Sequence, residues 1–271
     1  MNTPIRKGTI VVTGASSGIG AVYADRLARR GHDLVLVARD ANKLKALAAK
    51  LSTETGCKIE VLVADLTFKA DMHRVEDRLS NDANITGLIN NAGVAASAKL
   101  VDADPDQLEA MIVLNVTALT RLAGAAARSF VARGGGTIVN IASIVALAPE
   151  LLNGTYSGSK AYVLSFTQSM HHELADKGVR VQAVLPGATI TDLWEKSGVP
   201  VTDLPKEWLM SAEEMVDASL AGLDQGELVT IPALPDIADW NAYEAARKAL
   251  APGLSRQHAA ARYRIGKQQA A

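Results

Sequence analysis

The feature that most constrains the fold is a repeated alternation of short, β-branched apolar runs with segments long enough to form helices. Most of the runs are continuously apolar, as expected of strands whose sheet is covered on both faces, and such sheets are mainly parallel. Seven runs are predicted to be strands: Thr9–Thr13, Leu34–Val37, Ile59–Val63, Leu88–Ile89, Thr137–Ile141, Val179–Val184 and Leu228–Ile231. The sequence therefore predicts a doubly wound α/β fold of the Rossmann type, with a seven-stranded, mainly parallel sheet and helices on both faces.

The length and charge of the chain narrow its class. The 271 residues are 48% hydrophobic, which suits one large α/β domain spanning residues 1–271. The formal net charge of −1 provides no basic excess for nucleic acid and no acidic tail. The five histidines form no pattern typical of a metal site. We therefore expect a small-molecule partner, with no nucleic acid and no metal.

The N-terminal residues Met1–Gly8 lack the apolar stretch of a signal peptide. No run reaches the about 20 apolar residues that a membrane span requires. Cys57 is the single cysteine, so no internal disulfide can form, which is typical of a reducing compartment. These observations predict a cytoplasmic protein that does not insert into membranes.

Two regions depart from the regular alternation. Residues 188–210, which contain Trp194, Pro200, Pro205, Trp208 and Met210, are too long and apolar for an ordinary connection, so we predict a substrate lid there. Residues 233–271 form a C-terminal extension in which Asp236–Leu250 is predicted to be an extra helix. The basic end of this extension is interpreted as a frayed or partner-packed tail, with nucleic-acid or membrane contact as a weaker alternative.

A glycine-rich turn follows the first strand and opens the first helix. Its spacing is G-x-x-x-G-x-G, and glycine lets the backbone turn tightly and approach a pyrophosphate without Cβ clashes. The free N–H groups and the positive end of the helix dipole favour an anion. The residues predicted to contact the cofactor here are Gly14, Ser16, Ser17, Gly18, Ile19 and Gly20.

The end of the second strand bears on the choice between NAD and NADP. A carboxylate at the strand tip would bind a ribose 2′-OH, but Val37 is followed by Ala38, Arg39 and Asp40. The Arg39 guanidinium can pair with a 2′-phosphate. The neighbouring Asp40 carboxylate would repel a 2′-phosphate if it pointed towards it, but we interpret Asp40 as the N-cap of the next helix. The sequence therefore favours NADP(H).

Further motifs follow the glycine-rich turn along the chain. They are Asp65-Leu66 after the third strand, Asn90-Asn91-Ala92-Gly93 after the fourth, Asn115 in a helix, Ser143 after the fifth strand, Tyr156-Ser-Gly-Ser-Lys160, and Pro186-Gly187 with Thr189 and Thr191. With the turn, these motifs follow the order of the short-chain dehydrogenase/reductase family, which residues 8–232 resemble. The sequences of the motifs are similar to those of a bacterial branch of generic reductases that prefer NADP.

The resemblance implies a role for each motif. Asp65 and Leu66 would lie at the adenine, and the 186–191 loop would hold the nicotinamide end. Tyr156 would be the acid that protonates a carbonyl oxygen, and Ser143 would stabilise that oxygen. Lys160 would also bind the nicotinamide ribose, while Asn115 would hold a water that links Lys160 to solvent.

The spacing of Tyr156 and Lys160 gives this implication a physical basis. Residues i and i+4 of a helix lie on one face, one turn apart. A free tyrosine has a pKa of about 10, and a nearby ammonium favours the phenolate. We therefore expect Lys160 to lower the pKa of Tyr156 towards the working pH, which would improve proton transfer.

The predicted function is hydride transfer between NADP(H) and a carbonyl/secondary alcohol pair on a partly apolar substrate. A 3-oxoacyl-thioester reductase is an alternative within this class. A non-catalytic NADP(H)-sensing protein is an alternative from another class, although such a protein is expected to lose Tyr156 or Lys160. The resemblance also implies a homo-oligomer, a dimer or tetramer, although the C-terminal extension brings the usual assembly into question.

Overall fold

The computed structural model describes residues 7–194 and 203–263. Its sheet has seven strands in the order β3-β2-β1-β4-β5-β6-β7, and every neighbouring pair is parallel. The strands are β1 (Lys7–Thr13), β2 (His32–Ala38), β3 (Ile59–Val63), β4 (Ile85–Asn90), β5 (Gly136–Ile141), β6 (Val179–Val184) and β7 (Val229–Thr230). The predicted Rossmann-type sheet is confirmed, and among these strands it is entirely rather than mainly parallel.

Helices cover both faces of the sheet. Among the described residues, the α-helices of eight or more residues are α1 (Gly18–Arg29), α2 (Ala41–Thr55), α3 (Lys69–Asn81), α4 (Pro105–Ile112), α5 (Leu119–Ala132), α6 (Gly154–Leu174), α7 (Ala212–Gln225) and α8 (Ile237–Ala249). One core cluster joins the sheet to α3, α5 and α6, and a second joins it to α1, α2 and α7. Strand order reverses between β1 and β4, and in such folds ligands bind in the crevice outside the carboxyl ends of the strands at this point.

Three helices begin at a side chain that caps them, and one of these is the cap predicted at Asp40. A carboxylate oxygen of Asp40 accepts hydrogen bonds from the backbone of Asn42 and Lys43 at the start of α2. Asp104 caps α4 in the same way ahead of Pro105. The Ser211 hydroxyl accepts from the backbone N–H of Glu214 at the start of α7. These side chains satisfy helix N–H groups that have no partner within the helix.

The helical stretch Pro105–Ala132 is long and apolar enough to pass a compositional test for a membrane span. A buried core helix of a globular protein meets the same criterion, and Leu122, Ala126 and Phe130 of this stretch are completely buried in the core. Its apolar character is therefore accounted for by packing against the sheet.

The chain divides into two compact units at Pro232. The first unit contains the sheet and its covering helices. The second contains α8, which lies where an extra helix was predicted and begins at the capping residue Asp236. Within this unit the rings of Trp240 and Tyr243 stack, with their centroids 5.4 Å apart. The prediction of one domain over residues 1–271 stays a prediction.

Candidate active site

The glycine-rich turn lies at the carboxyl end of β1, at the point where strand order reverses. Gly14 has a φ of +67°, and a Cβ there would lie 2.9 Å from the Cα of Ala92. Gly18 has a φ of +53°, and a Cβ there would approach the Thr191 methyl group to 3.1 Å. A Cβ on Gly20 would run into the Gly14 carbonyl. All three positions therefore require glycine, two of them for their left-handed backbone as well as for space.

Thr13 stabilises this turn, although it belongs to none of the predicted site residues. Its hydroxyl accepts hydrogen bonds from the backbone N–H groups of Asn91 and Ala92, both at 3.0 Å. The Asn91 side-chain amide donates to the Thr13 carbonyl at 2.9 Å. A polar residue that ends an otherwise apolar buried strand is the one signal that could have identified Thr13, because a buried hydroxyl needs partners.

The first turn of α1 has backbone N–H groups and a charge distribution that favour an anion. Ser17 occupies the N-cap position, but its side chain makes no capping hydrogen bond, and the first turn carries no acidic residue. The leading N–H groups of a helix have no partner within the helix and carry partial positive charge. Ser16, Ser17 and Ile19 are each only partly buried, so this positive end is accessible.

Arg39 and Asp40, side by side after β2, have different surroundings. The Arg39 side chain is 70% exposed, and its Nη1 atom lies 3.9 Å from a carboxylate oxygen of Asp65. Asp40 is occupied as the N-cap of α2. The structure thus leaves a guanidinium accessible at the tip of β2, beside the Asp65 carboxylate.

The predicted cofactor residues after β3 and β4 divide into accessible and buried ones. Asp65 is partly exposed and accepts from the backbone and hydroxyl of Thr67. Leu66 is only 5% exposed and belongs to the core. Asn90 is buried as well, and its side-chain amide donates to the Leu119 carbonyl at 3.0 Å. The side chains of Leu66 and Asn90 are therefore engaged within the protein.

The 186–191 loop closes the other side of this crevice. The Pro186 carbonyl accepts from the backbone N–H of Ile144 at 3.0 Å, and the Thr189 hydroxyl donates to the Gly187 carbonyl at 3.2 Å. Thr191 lies against Gly18. The loop therefore connects the glycine turn to the end of β5.

Tyr156 and Lys160 lie on the first two turns of α6, which Asn153 caps through hydrogen bonds from the Thr155 and Tyr156 N–H groups. Both side chains are buried, with 6% exposure each. The Ser143 side chain is near enough to the Tyr156 hydroxyl to lower the pKa of that phenol, and its own hydroxyl donates to the Pro186 carbonyl at 3.4 Å. The Lys160 ammonium donates to the Ile141 carbonyl at 2.9 Å and lies 5.7 Å from the centre of the Tyr156 ring. The end of β5 thus brings together Tyr156, Lys160 and Ser143, the three side chains predicted to act at the carbonyl oxygen or at its proton donor.

The expected direction of the Tyr156 pKa was wrong for this structure. Burial raises the pKa of Tyr156 to about 12, and the Ser143 side chain offsets only part of that effect. Burial also lowers the pKa of Lys160 to about 8. Desolvation disfavours the charged form of each group, and it outweighs the predicted effect of the ammonium on the phenol. Near neutral pH the phenol therefore carries its proton and can donate it.

Asn115 is held in an irregular part of its helix. It lies in a π-helical segment, Val113–Ala118, between α4 and α5. Its side-chain amide donates to the Val94 carbonyl at 2.9 Å and accepts from the Val94 N–H at 3.0 Å. A Cβ on Gly93 would lie 3.1 Å from the Asn115 side-chain oxygen and 3.6 Å from the Lys160 nitrogen. π-Bulges occur frequently at functional sites, and this one brings Asn115 close to the catalytic candidates.

An apolar cluster surrounds one side of the Tyr156 ring. Met111, Val145 and Tyr156 are its buried members. Partly buried residues pack against them: Val94, Ala95, Ala96, Leu108 and Leu152. The phenol therefore has a polar neighbour in Ser143 and an apolar wall beside it, which suits a carbonyl attached to apolar groups.

Residues 8–199 match the family model described as short chain dehydrogenase. An uncharacterised oxidoreductase of Staphylococcus saprophyticus is 34% identical over 222 residues, which cover 82% of this chain and 93% of that protein.

Solved structures are more similar still. A short-chain dehydrogenase from Sphingobium yanoikuyae, in complex with NADPH, is 51% identical with a TM-score of 0.91, and the match covers 93% of this chain and 98% of that one. A bulky-bulky ketone specific alcohol dehydrogenase from Comamonas testosteroni is 46% identical with a TM-score of 0.88, covering 96% and 99%. On the strength of the glycine turn, the motifs and these matches, the chain belongs to the short-chain dehydrogenase family of oxidoreductases.

Proposed function

We propose that this protein is an NADP(H)-dependent oxidoreductase that reduces ketones with bulky apolar substituents, with Tyr156 as the proton donor. The observation that carries the proposal is the meeting of the Tyr156 phenol, the Ser143 hydroxyl and the Lys160 ammonium at the end of β5, beside an apolar wall. The NADPH complex of the Sphingobium relative supports the cofactor.

The glycine turn fits the pyrophosphate of this cofactor, since Gly14, Gly18 and Gly20 lack the Cβ atoms that would obstruct it. Arg39 would hold the 2′-phosphate, because its guanidinium is exposed and Asp40 is engaged as a cap. Asn91, Ala92 and Gly93, together with the 186–191 loop, would line the remainder. Bound NADPH supplies the hydride.

The side chains at the end of β5 would share the remaining work. Tyr156 holds a proton at neutral pH and would donate it to the carbonyl oxygen as negative charge develops there. The Ser143 hydroxyl would donate a hydrogen bond to the same oxygen, which stabilises that charge. The Lys160 ammonium would orient the ribose hydroxyls and favour departure of the phenolic proton.

Asn115 would act indirectly, by holding the backbone that lies next to Lys160. Its amide is fixed to both backbone groups of Val94, and it also donates to the Ser159 hydroxyl at 3.2 Å. We assign it the task of holding the backbone after β4 near Lys160, where a water could pass protons to the ammonium. This assignment rests on its burial and on its place in the π-helical segment.

The substrate class follows from the cluster around Tyr156 and from the Comamonas relative, whose substrates are described as bulky-bulky ketones. Ala95 and Ala96 supply small side chains at the wall, which leaves room for large substituents. Residues 188–210 would form a lid over this site. In support, Ile190 is 50% and Trp208 59% exposed, and the segment is tied at Thr189 and Met210 by a parallel bridge. Residues 195–202 of the predicted lid, including Pro200, lie outside the described residues.

We further propose a cytoplasmic homo-oligomer. Cys57 is buried and unpaired, in keeping with a reducing compartment. Ile112, Val131 and Tyr162 on α4, α5 and α6 are more than a third exposed, and an oligomer interface would cover such side chains. Light scattering of the purified protein would test the assembly.

The basic C-terminal end of the chain is described only in part. Arg262 lies among the described residues, whereas Arg264 and Lys267 lie outside them.

The decisive experiment is Tyr156→Phe, with Tyr162→Phe as its matched control on the same helix. We expect Tyr156→Phe to bind NADPH within about twofold of the unchanged protein and to lose about 10²–10⁴-fold in kcat, the usual range for removing a general acid. Tyr162, whose hydroxyl meets that of Thr120, should tolerate the change. Ketone reduction that persists unchanged in Tyr156→Phe would remove this residue from the mechanism.

A substrate panel defines the finer assignment. Ketones with two aryl groups, methyl ketones and a 3-oxoacyl thioester would be compared by NADPH consumption. We expect the highest kcat/KM for the diaryl ketones. A preference for the thioester would replace the bulky-ketone assignment with that of a 3-oxoacyl reductase, and NADPH binding without turnover of any carbonyl would favour a sensor.

A further inference from the structure

A chain of buried polar side chains runs from the middle of the sheet into α6, although none of its links contacts the candidate catalytic groups directly. The Asn90 amide donates to the side-chain oxygen of Asn140 at 3.2 Å. The Asn140 amide in turn donates to the Thr167 hydroxyl at 3.0 Å, and that hydroxyl donates to the Val163 carbonyl within α6. Asn140 and Thr167 are completely buried. Such a network is costly to break, because each orphaned group loses its partner without gaining water.

Thr167 shares a helix face with the two catalytic candidates. Tyr156, Lys160, Val163 and Thr167 stand at positions i, i+4, i+7 and i+11, which form one stripe along α6. The stripe faces a single strand and its continuation: Thr167 meets Asn140, Lys160 meets the Ile141 carbonyl, and Tyr156 meets Ser143. Successive positions along β5 therefore contact successively earlier turns of α6.

This arrangement supplies directional contacts to an interface that is otherwise apolar. Val163 and Met170 on α6 are buried, and Met170 belongs to the apolar core beside α3 and α5. Dispersion contacts in such a core have little directional preference. A hydrogen bond between two buried side chains has a narrow range of distance and angle. The Asn140–Thr167 contact lies about 16 Å along the helix axis from Tyr156, at a rise of about 1.5 Å per residue. It can therefore fix where the helix lies along the strand.

We infer that Thr167 and Asn140 are positioning residues: they set the position of α6 against β5 and thereby hold Tyr156 and Lys160 at the reacting carbonyl. The inference rests on the proposed function, because it assumes that Tyr156 is the proton donor. Misplacement of a catalytic group by about 1 Å can cost about 10²-fold in rate. A small shift of α6 should therefore lower kcat more than it changes cofactor binding.

The test is Thr167→Val, with Thr230→Val as the matched control. Thr230 is also buried, at 6% exposure, and its hydroxyl also accepts from a buried amide, that of Gln182 at 2.8 Å, but it lies on β7. Each variant removes the hydroxyl acceptor of a buried side-chain amide, and Thr230→Val also removes a donor to the Glu227 carboxylate, so both should lower the melting temperature. We expect only Thr167→Val to lower kcat for the preferred diaryl ketone, by about tenfold, with the Kd for NADPH within about twofold. Amide hydrogen exchange across 154–174 should accelerate in that variant alone.

Conservative variants complete the test. Thr167→Ser keeps the hydroxyl and should restore kcat to within about threefold. If Thr167→Val does not fold, Thr167→Cys replaces it, and its weaker acceptor should produce an intermediate loss of kcat. An unchanged kcat in the folded valine or cysteine variant, or an equal loss in Thr230→Val, would overturn the inference.

Tyr156→Phe is measured beside these variants, so that a failure of the positioning role can be distinguished from a failure of the proposed function. If it loses turnover while Thr167→Val retains it, only the positioning role fails. If Tyr156→Phe retains turnover, the proposed function fails first and removes the basis of the inference.

Discussion

The glycine turn after β1 and the stripe on α6 meet at the same edge of the sheet, yet they are constructed differently. The turn is formed by backbone: two left-handed glycines, a helix start without a side-chain cap, and Thr13 as a brace. The stripe is formed by buried side chains whose pKa values burial has moved, to about 12 for Tyr156 and about 8 for Lys160. An anion site of this kind therefore requires backbone N–H groups that no side chain obstructs, whereas proton transfer requires side chains that are shielded from water.

The largest effect is expected from a substitution in the glycine turn. In Gly14→Ala, the new Cβ would lie 2.8 Å from the Asn91 side-chain nitrogen and 2.9 Å from the Ala92 Cα, in addition to the left-handed strain. We expect the Kd for NADPH to rise more than 100-fold, as measured by fluorescence titration. Gly31→Ala is the control, because Gly31 has a φ of +87° but nothing within 4 Å of its Cβ position. Equal losses in both variants would show that backbone strain alone causes the effect.

Arg39→Asp tests whether a side chain sets the cofactor preference that the backbone turn leaves open. In the proposed function the turn would accommodate the pyrophosphate of either dinucleotide, and the Arg39 guanidinium would distinguish a 2′-phosphate from a 2′-OH. We expect the ratio of kcat/KM for NADPH to that for NADH to fall about 100-fold. Lys50→Asp, an exposed position near the far end of α2, is the control for a change of net charge. An unchanged ratio would place the 2′-phosphate elsewhere.

The pH dependence of ketone reduction tests the protonation states of Lys160 and Tyr156, the two titratable residues of the stripe. With a pKa of about 8, Lys160 is an ammonium below that pH and loses its charge above it, while Tyr156 keeps its proton to about 12. The rate of ketone reduction should therefore be level near pH 7 and fall about tenfold towards pH 9. Lys160→Arg keeps its charge throughout this range, so its residual activity should lack that decline. A decline at the same pH in both proteins would assign it to another group.

The two regions also differ in how far the sequence could predict them. The turn is local: strand, glycine spacing and helix are contiguous, so Gly14–Gly20 and the Rossmann-type sheet followed from the pattern. The order of the motifs also predicted that Tyr156, Lys160 and Ser143 would come together. The direction of the Tyr156 pKa was wrong, because it depends on burial of the ring by residues distant in the sequence. Thr13 and the Asn140–Thr167 contact were missed for the same reason, since their partners become neighbours only after folding.

The smallest effect is expected from Asp40→Ala, which tests the assignment of this carboxylate as a helix cap. The carboxylate accepts from the Asn42 and Lys43 N–H groups at 3.0 and 2.9 Å, so its loss should cost about 1 kcal/mol of stability, as for other N-caps. The ratio of kcat/KM for NADPH to that for NADH should stay within about twofold, because the cap and not the cofactor uses this carboxylate. Asp104→Ala, which removes the cap of α4, provides the matched loss of stability away from β2. If Asp40→Ala instead raised the NADPH preference tenfold, this aspartate would act against the 2′-phosphate, and the assignment of cofactor choice to Arg39 alone would be wrong.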